Sequence, residues 1–346
     1  MTLVMTLRTR DEIDVVDSWL EFHLNAGCDV VIATDNLSRD GTTEVLEEYA
    51  RSGHVHLIRE PGEDLREAEW VTRMARLAAT QYGADWVINS DADEFWWPRG
   101  GSLSEVLAAV TPRFGVVRGC WRHFVPRPDD GSFFAERMTL RLAVPAHPGD
   151  KRTIFHAHQK VAHRADPSVE IEAGNHNAEA PGLFPLRAWH PLEVLHFSFR
   201  SVAQLERKAR GGWLRNHDYE PTLHQLLLDE AFREGRLKQF YEAHAVDGDT
   251  LAAGLADGTF ATDTRLRDGL RAIRDDDGTF AMPGNEPRLD FRRPSAAADA
   301  EYAAEASVLV EIDGVVRAEQ RVRALEDRLV SLERGALGSA RRLARR

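Results

Sequence analysis

Apolar positions in the first hundred residues alternate between two spacings. Leu3-Val4-Met5-Thr6-Leu7 is a short run of strand type, after which Val15, Trp19, Leu20, Phe22, His23 and Ala26 recur at helical spacing as far as Gly27. Val30-Val31-Ile32-Ala33 reads as a second strand, a turn over Asp35 to Gly41 leads into a helix from about Thr42 to Arg51, and Val55-His56-Leu57-Ile58 reads as a third strand. A helical stretch around Leu65 to Tyr82 then precedes Trp86-Val87-Ile88, which runs directly into Asn89-Ser90-Asp91-Ala92-Asp93-Glu94-Phe95-Trp96-Trp97-Pro98. Strands alternating with helices predict an α/β fold built on a doubly wound, mostly parallel sheet. Ligands bind such sheets outside the carboxyl ends of the strands, where Arg8, Asp35 and Asp91 are expected to converge.

The texture changes downstream. From about Gly115 to His196 the strand candidates are shorter, and eight of the fourteen histidines lie between His123 and His196. Ser201 to Arg210 and Pro221 to His244 have helical patterns. These shifts divide the chain into a sheet domain over 1–215, a helical extension packing on it over 216–275, a linker over 276–300 rich in Asp, Gly, Pro and Arg, and a last segment over 301–346. In that segment Val308, Val315, Val322, Leu325, Leu329 and Leu332 follow a mostly heptad spacing, which predicts an amphipathic or coiled-coil helix with a basic tail.

Composition narrows the function. The 346 residues carry a net charge of −12, which excludes a general nucleic-acid binder because nothing offsets the phosphate charge. No apolar run reaches the roughly 18 residues a membrane span needs, and the N-terminus lacks the basic, apolar and small-residue order of a signal peptide. With only Cys28 and Cys120 and no Cys-x-x-Cys pair, a reducing, cytoplasmic setting is expected. The basic tail allows a peripheral contact with the inner face of a membrane, or oligomerisation through 308–346.

Two aspartates at i and i+2 in a tight turn after a strand can address one point, a natural place for a hard divalent cation. The bland readings are a solvated acidic turn, or Asp91 and Glu94 capping a following helix. Position after a buried strand, beside further acidic strand ends, favours the cation. The histidine group could instead hold zinc, but it lacks accompanying Cys or a His-Glu-x-x-His helix. Trp96, Trp97, Trp121 and Trp189 read as core by size.

Three motifs in order carry a family resemblance. Arg10-Asp11-Glu12 before a helix, Asp35-Asn36-x-Ser38-x-Asp40-Gly41-Thr42, and Asp91-Ala92-Asp93-Glu94-Phe95 together resemble a glycosyltransferase of the GT-A fold, in its family-2-like or family-92-like branch. His196-Phe197-x-Phe199-Arg200-Ser201, with Lys208 after it, is similar to the series that closes that catalytic domain. The resemblance implies a Rossmann-like GT-A domain with a C-terminal helical extension, a nucleotide-diphosphate sugar as donor, and Mn2+ or Mg2+ as cofactor. It implies that Asp35 and Glu12 meet the nucleoside, that Asp91 faces the ribose or a metal-bound water, and that Asp93 and His196 bind the metal. Arg8 and Lys160 are expected on the diphosphate. Asp11 replaces the family's usual Asn. The acceptor, whether a glycan, a lipid-linked chain or a small molecule, and the catalytic base are not singled out; Glu94, Glu136, Asp166 and His176 are candidates by region. A nucleotidyltransferase of similar fold and a non-catalytic scaffold that binds nucleotide-sugars are the alternatives. Against the first, no glycine-rich phosphate loop lies near Leu7 to Asp14.

Overall fold

The computed structural model describes residues 1–63, 66–144, 146, 153–187, 189–211, 223–274 and 289–291, with positions of a helix between 310 and 330. The elements run β1 (Leu3–Thr9), α1 (Val16–Asn25), β2 (Val30–Asp35), α2 (Thr42–Arg51), β3 (Val55–Arg59), α3 (Glu67–Gln81), β4 (Trp86–Asp91) and β5 (Glu94–Pro98). They continue with α4 (Leu103–Ala108), β6 (Val116–His123), α5 (Phe134–Arg137), β7 (Leu140–Leu142), β8 (Gln159–Arg164), β9 (Glu170–Ile171), β10 (Ala178–Glu179) and β11 (Leu192–His196). The chain then turns mainly helical: α6 (Val202–Arg210), α7 (Leu223–Arg233), α8 (Leu237–His244), α9 (Gly248–Ala256), β12 (Phe260–Thr262) and α10 (Arg265–Ala272).

Eight strands form one sheet in the order β3-β2-β1-β4-β8-β6-β11-β5. The pairs β3-β2, β2-β1, β1-β4 and β6-β11 are parallel; β8 and β5 run against their neighbours. Side chains of β1 alternate between the two faces: Leu3, Met5 and Leu7 join the core under α1, α4 and α10, while Val4 joins Ile32 and Val87 under Val71, Met74 and Ala78 of α3. Burial on both faces explains the unbroken apolar run that marked this strand in sequence. Each such Leu, Val or Met contributes about 1.5–3 kcal/mol on leaving water.

Three expectations need correction. Glu94 to Pro98 is a strand, so Asp91 and Glu94 do not cap a helix. The 221–244 stretch is two helices, broken at Gly235, whose φ of 67° closes the first. Within the expected linker, Leu289 and Phe291 are buried, and Phe291 packs against Phe22 and Trp97; the rest of 276–300 lies outside the described residues, as does most of 301–346. The later elements lie against the sheet domain, because β12 pairs with β7 and buried Leu266 and Leu270 of α10 share the core that α1 faces. No helix of the described residues is long and apolar enough to cross a membrane.

Candidate active site

Strand direction gathers the site. The carboxyl ends of β1, β2, β4, β6 and β11 share one edge of the sheet, bringing Arg8, Asp35, Asp91, His123 and His196 there, and the reversed strands β8 and β5 begin at the same edge with Lys160 and Glu94. Register sets the neighbours: Arg8 lies beside Asp91, Thr9 beside Asp35, and His196 between His123 and Glu94. Only Ala92 and Asp93 join β4 to β5, although three strands separate them in the sheet. Four strand steps of a flat sheet would span about 19 Å at 4.8 Å each, whereas the chain from Asp91 to Glu94 reaches at most about 11 Å. The sheet therefore curls until its last strand returns to β4, and the acidic turn is where it closes. Close packing inside the curl needs Gly119, where a Cβ would stand 2.8 Å from both the Trp96 ring and Val194.

Lys160 holds the closure. Its Nζ, fully enclosed, donates to Asp91 Oδ2 at 2.7 Å and lies 2.9 Å from Glu94 Oε1. Burial works against the ammonium, but Asp91 and Glu94 outweigh it and hold its pKa above the ordinary lysine value. Asp91 Oδ1 accepts no hydrogen bond; Arg8 Nη2 stands 3.6 Å away. Glu94 is wholly buried, with Oε1 accepting from Trp121 Nε1 at 2.9 Å and Oε2 from the Asp91 N–H at 3.2 Å. Burial pushes its carboxyl up to about 8; Lys160 opposes this, and Asp91 and Asp93 add to it. Asp93 goes the other way. Burial would raise it, yet Lys208, His196, Arg200 and Lys160 together hold it well below the carboxylate range.

A chain of hydrogen bonds fixes His196. His123 Nε2–H donates to the His156 carbonyl at 2.9 Å, so His123 Nδ1 carries a lone pair. His196 Nδ1 lies 3.2 Å from that atom and must donate to it. The remaining nitrogen, His196 Nε2, is left with its lone pair and lies 3.9 Å from Asp93 Oδ1. Burial keeps the ring neutral, lowering its pKa to about 4, and Trp121 stacks on it at 4.4 Å. Among the described residues, Asp93, Glu94 and His196 offer ligand atoms that all lie within 4.8 Å of one another. In sequence the trio was Asp91, Asp93 and His196; in space Glu94 takes the place of Asp91, which Lys160 engages.

Two basic residues that sequence reasoning assigned no role close the other side. Ser201 caps α6, accepting from the Gln204 N–H at 3.0 Å, and this sets Arg200 just before the helix and Lys208 within it. Lys208 Nζ is 3.2 Å from Asp93 Oδ2. Arg200 is fully buried: it donates to Glu12 and, through Nε, to Asp14 Oδ2 at 2.7 Å, with Nη1 3.9 Å from Asp93. Burial raises the Glu12 carboxyl despite the Arg200 and Lys208 charges. The Arg-Ser-Lys spacing was visible in sequence; the turn that swings it over Asp93 was not.

The other expected residues are placed as follows. Asp35 is buried with both oxygens engaged, Oδ1 accepting from Ser38 Oγ at 2.5 Å and Oδ2 from Thr43 Oγ1 at 2.6 Å. It thus orders the 35–43 turn, and a nucleoside would have to share it. His176 borders the crevice: its Nδ1–H donates to the Gln159 carbonyl at 2.8 Å and its ring stacks on His158 at 3.6 Å, beside Trp121. Burial lowers its pKa to about 3. Glu136 instead pairs with Arg271 of α10, and Asp166 accepts from Ser168 in an exposed turn, so neither adjoins the acids. Trp96 is core, and Trp97 packs on Phe22 and Phe291 with Arg265 over its ring at 5.3 Å, so neither ring lines the crevice.

Comparison with known proteins adds a class to this geometry. The sequence profile of Glycosyltransferase family 92 matches residues 10–118, which run from just after β1 into the first residues of β6 and include the acidic turn. Over that segment the chain is similar to this glycosyltransferase family. No curated protein matches the chain in sequence. Solved structures that resemble it include S. aureus TarS 1-349 in complex with UDP-GlcNAc, at 12% identity and a TM-score of 0.34, covering 74% of this chain and 77% of that one. Another is glucosyl-3-phosphoglycerate synthase from Mycobacterium tuberculosis in complex with Mn2+, UDP and glucosyl-3-phosphoglycerate, at 18% identity and a TM-score of 0.25, covering 37% of this chain and 45% of that one.

Proposed function

We propose that the protein transfers a sugar from a nucleotide-diphosphate sugar to an acceptor hydroxyl, with inversion, in the crevice at the carboxyl ends of β1, β4, β6 and β11. The observation that carries this reading is the convergence of Asp93, Glu94 and the free Nε2 of His196 within 4.8 Å, flanked on both sides by cations. Two carboxylates and a neutral imidazole suit Mn2+ or Mg2+, and the unbonded Oδ1 of Asp91 supports the same reading. Such a cation, when bound, offsets charge on the departing diphosphate.

The chain's own groups do the rest. Lys208 and Arg200 stand on one side of Asp93, and Arg8 and Lys160 on the far side of Asp91. Four cations around two carboxylates give an acidic protein the local positive field that a diphosphate needs. Glu12 and the ordered 35–43 turn lie at the nucleoside end. Glu94 and His176 are the base candidates that border the crevice. Glu94 can act as base only if Asp93 and His196 hold the ion without it, whereas His176 offers a neutral Nε2 apart from that trio. Comparing kcat, donor affinity and Mn2+ affinity for Glu94→Gln and His176→Gln assigns the role, since the base variant loses the chemical step with both affinities kept, whereas a lost ion ligand lowers them too. The arrangement 1–215 as transferase domain, with 216–275 packed on it, fits the β7-β12 pairing.

The direct test is a panel of nucleotide-sugars and nucleoside diphosphates screened by thermal shift with and without Mn2+. A ligand present at a hundredfold its Kd stabilises the native state by about 2.7 kcal/mol, so one donor class should raise the Tm, and more so with Mn2+. A flat response from every nucleotide, with and without the ion, would overturn the reading.

A further inference from the structure

The carboxylates of the acidic turn already face cations of this chain, and those cations differ in freedom. Lys160, which serves Asp91 and Glu94, has 2% of its side chain exposed and is shut into the closure of the sheet. Arg200, 3.9 Å from Asp93 Oδ2, is 1% exposed and committed to Glu12 and Asp14. Of these three, Lys208 alone reaches the crevice surface: its side chain is 22% exposed, and its Nζ lies 3.2 Å from the same oxygen, Asp93 Oδ2. The helix that carries it is anchored. Leu205 is fully buried, and Arg207 donates through Nε to the Asp11 carbonyl at 3.1 Å, binds Asp14, and stands 3.3 Å from Asp40 Oδ2. The flexible four-carbon stem of Lys208 is therefore free to swing on a stationary root.

Asp93 divides its two oxygens. Oδ1 lies 3.9 Å from His196 Nε2, on the side where the trio with Glu94 converges, and Oδ2 lies toward Lys208. A carboxylate has one negative charge to share. With a dication on the trio, the hold of Asp93 on the ammonium weakens and the two cations repel each other. Arg200 and Lys160 are walled in and cannot answer that repulsion, whereas Lys208 can. The oxygens of a diphosphate in the crevice offer its ammonium new acceptors. We propose that Lys208 is an exchangeable counter-ion: it rests on Asp93 in the ion-free protein, is released when the ion binds, and is then taken up by the donor's diphosphate. This inference rests on the nucleotide-sugar reading of the crevice and adds to it a coupling between ion and diphosphate that passes through one side chain.

The test uses the full chain and reads Lys208 directly. A brief pulse of an amine-acetylating N-hydroxysuccinimide ester, mapped by mass spectrometry, labels an ammonium more readily once it has left a carboxylate, because it then loses its proton more easily. Mn2+ alone should raise acetylation at Lys208 several-fold, adding UDP or GDP should bring it back down, and Lys160 should stay unlabelled throughout. In calorimetry without nucleotide, Lys208→Met should bind Mn2+ more tightly than the native protein by about 5–150-fold, the usual size of coupling between two ligands. Mn2+ that binds while acetylation at Lys208 stays unchanged, labelling that remains high with both nucleotides, or equal Mn2+ affinity in native protein and variant would each overturn the exchange and leave the nucleotide-sugar reading in place. A native protein that binds neither Mn2+ nor either nucleotide would overturn both.

Discussion

The Nδ1–H of His196 is held by Nδ1 of His123 at 3.2 Å, and this one bond decides which nitrogen of His196 faces Asp93. His123 is in turn fixed by the His156 carbonyl. A partner of this kind controls both tautomer and ring orientation in metal-binding histidines. His123→Phe keeps an aromatic ring but removes the acceptor. The expected result is a fall of about 10–100-fold in Mn2+ affinity, measured by titration calorimetry, with the circular dichroism spectrum unchanged. Unchanged affinity would show that His196 takes no part in binding the ion.

Asp93 is the carboxylate on which Lys208, Arg200 and His196 converge. Asp93→Asn is expected to lower kcat by at least about 100-fold, since even outer partners of such sites cost 10–100-fold. The native Tm should rise on adding Mn2+ and that of Asp93→Asn should not, which separates a lost ion site from a lost fold.

Removing Lys160 strands Asp91 and Glu94 without their cation in a closed interior. Lys160→Met should cost about 3–5 kcal/mol by urea denaturation. Glu94→Gln keeps an oxygen for Trp121 and Lys160 and leaves Lys160 paired with Asp91, so it should cost less. Equal costs for the two variants would contradict that assignment.

Glu193 makes the corresponding tie on the opposite side of the sheet. Its Oε1 accepts from Arg122 Nη2 at 3.2 Å and from Arg99, and its Oε2 from Arg265 Nη1 at 2.6 Å. Burial would raise its carboxyl, but Arg265, Arg122 and Arg99 hold it well below the usual range. Glu193→Gln leaves three guanidinium groups around a neutral amide, with an expected loss of about 3–5 kcal/mol. Limited proteolysis should then cut near α10, which Arg265 begins.

Acid should loosen the protein well before its aspartates titrate. Burial lowers His23 and His176 to about 3, and His163 and His196 to about 4. A histidine depressed on folding contributes stability that is complete above its unfolded pKa of about 6.5 and is lost as pH falls toward the folded value. Glu94 and Glu12, raised on folding, act in the opposite sense. With His123, His158, His190 and His224 also depressed, the histidines outnumber the two glutamates and leave a net loss as pH falls from 6.5 to about 4.5. His23 shows the cause: its Nδ1–H donates to the Trp19 carbonyl and its Nε2 accepts from the Trp96 N–H at 3.0 Å, so a second proton has nowhere to go. Urea midpoints should fall from pH 7 to pH 5, less steeply in His23→Gln; a flat or rising profile would refute the account.

The N-terminal half of the fold was legible because its elements are periodic. β1, α2 and β4 bury apolar residues at strand or helix spacing, and the predicted helix over 42–51 coincides with α2. What sequence could not supply was the return of the sheet upon itself. β5 reads as a continuation of an acidic turn, and nothing local reveals that it pairs with β11, nearly a hundred residues away. That distant pairing is also why Glu94 sits with Asp93 and His196, why Trp121 reaches Glu94, and why the four base candidates separate into two near the acids and two remote from them. Small elements such as β12 and α10 carried too few apolar residues to register, although Leu266 and Leu270 of α10 join the core against which Trp97 packs and β12 pairs with β7.

The two-residue link between β4 and β5 gives this end of the molecule a fixed length. One residue more would shift β5 by one place, and a one-place slip in a pleated strand sends Glu94 and Trp96 to the face that Phe95 now fills. The acidic turn can be inherited or lost, but it has no room to drift.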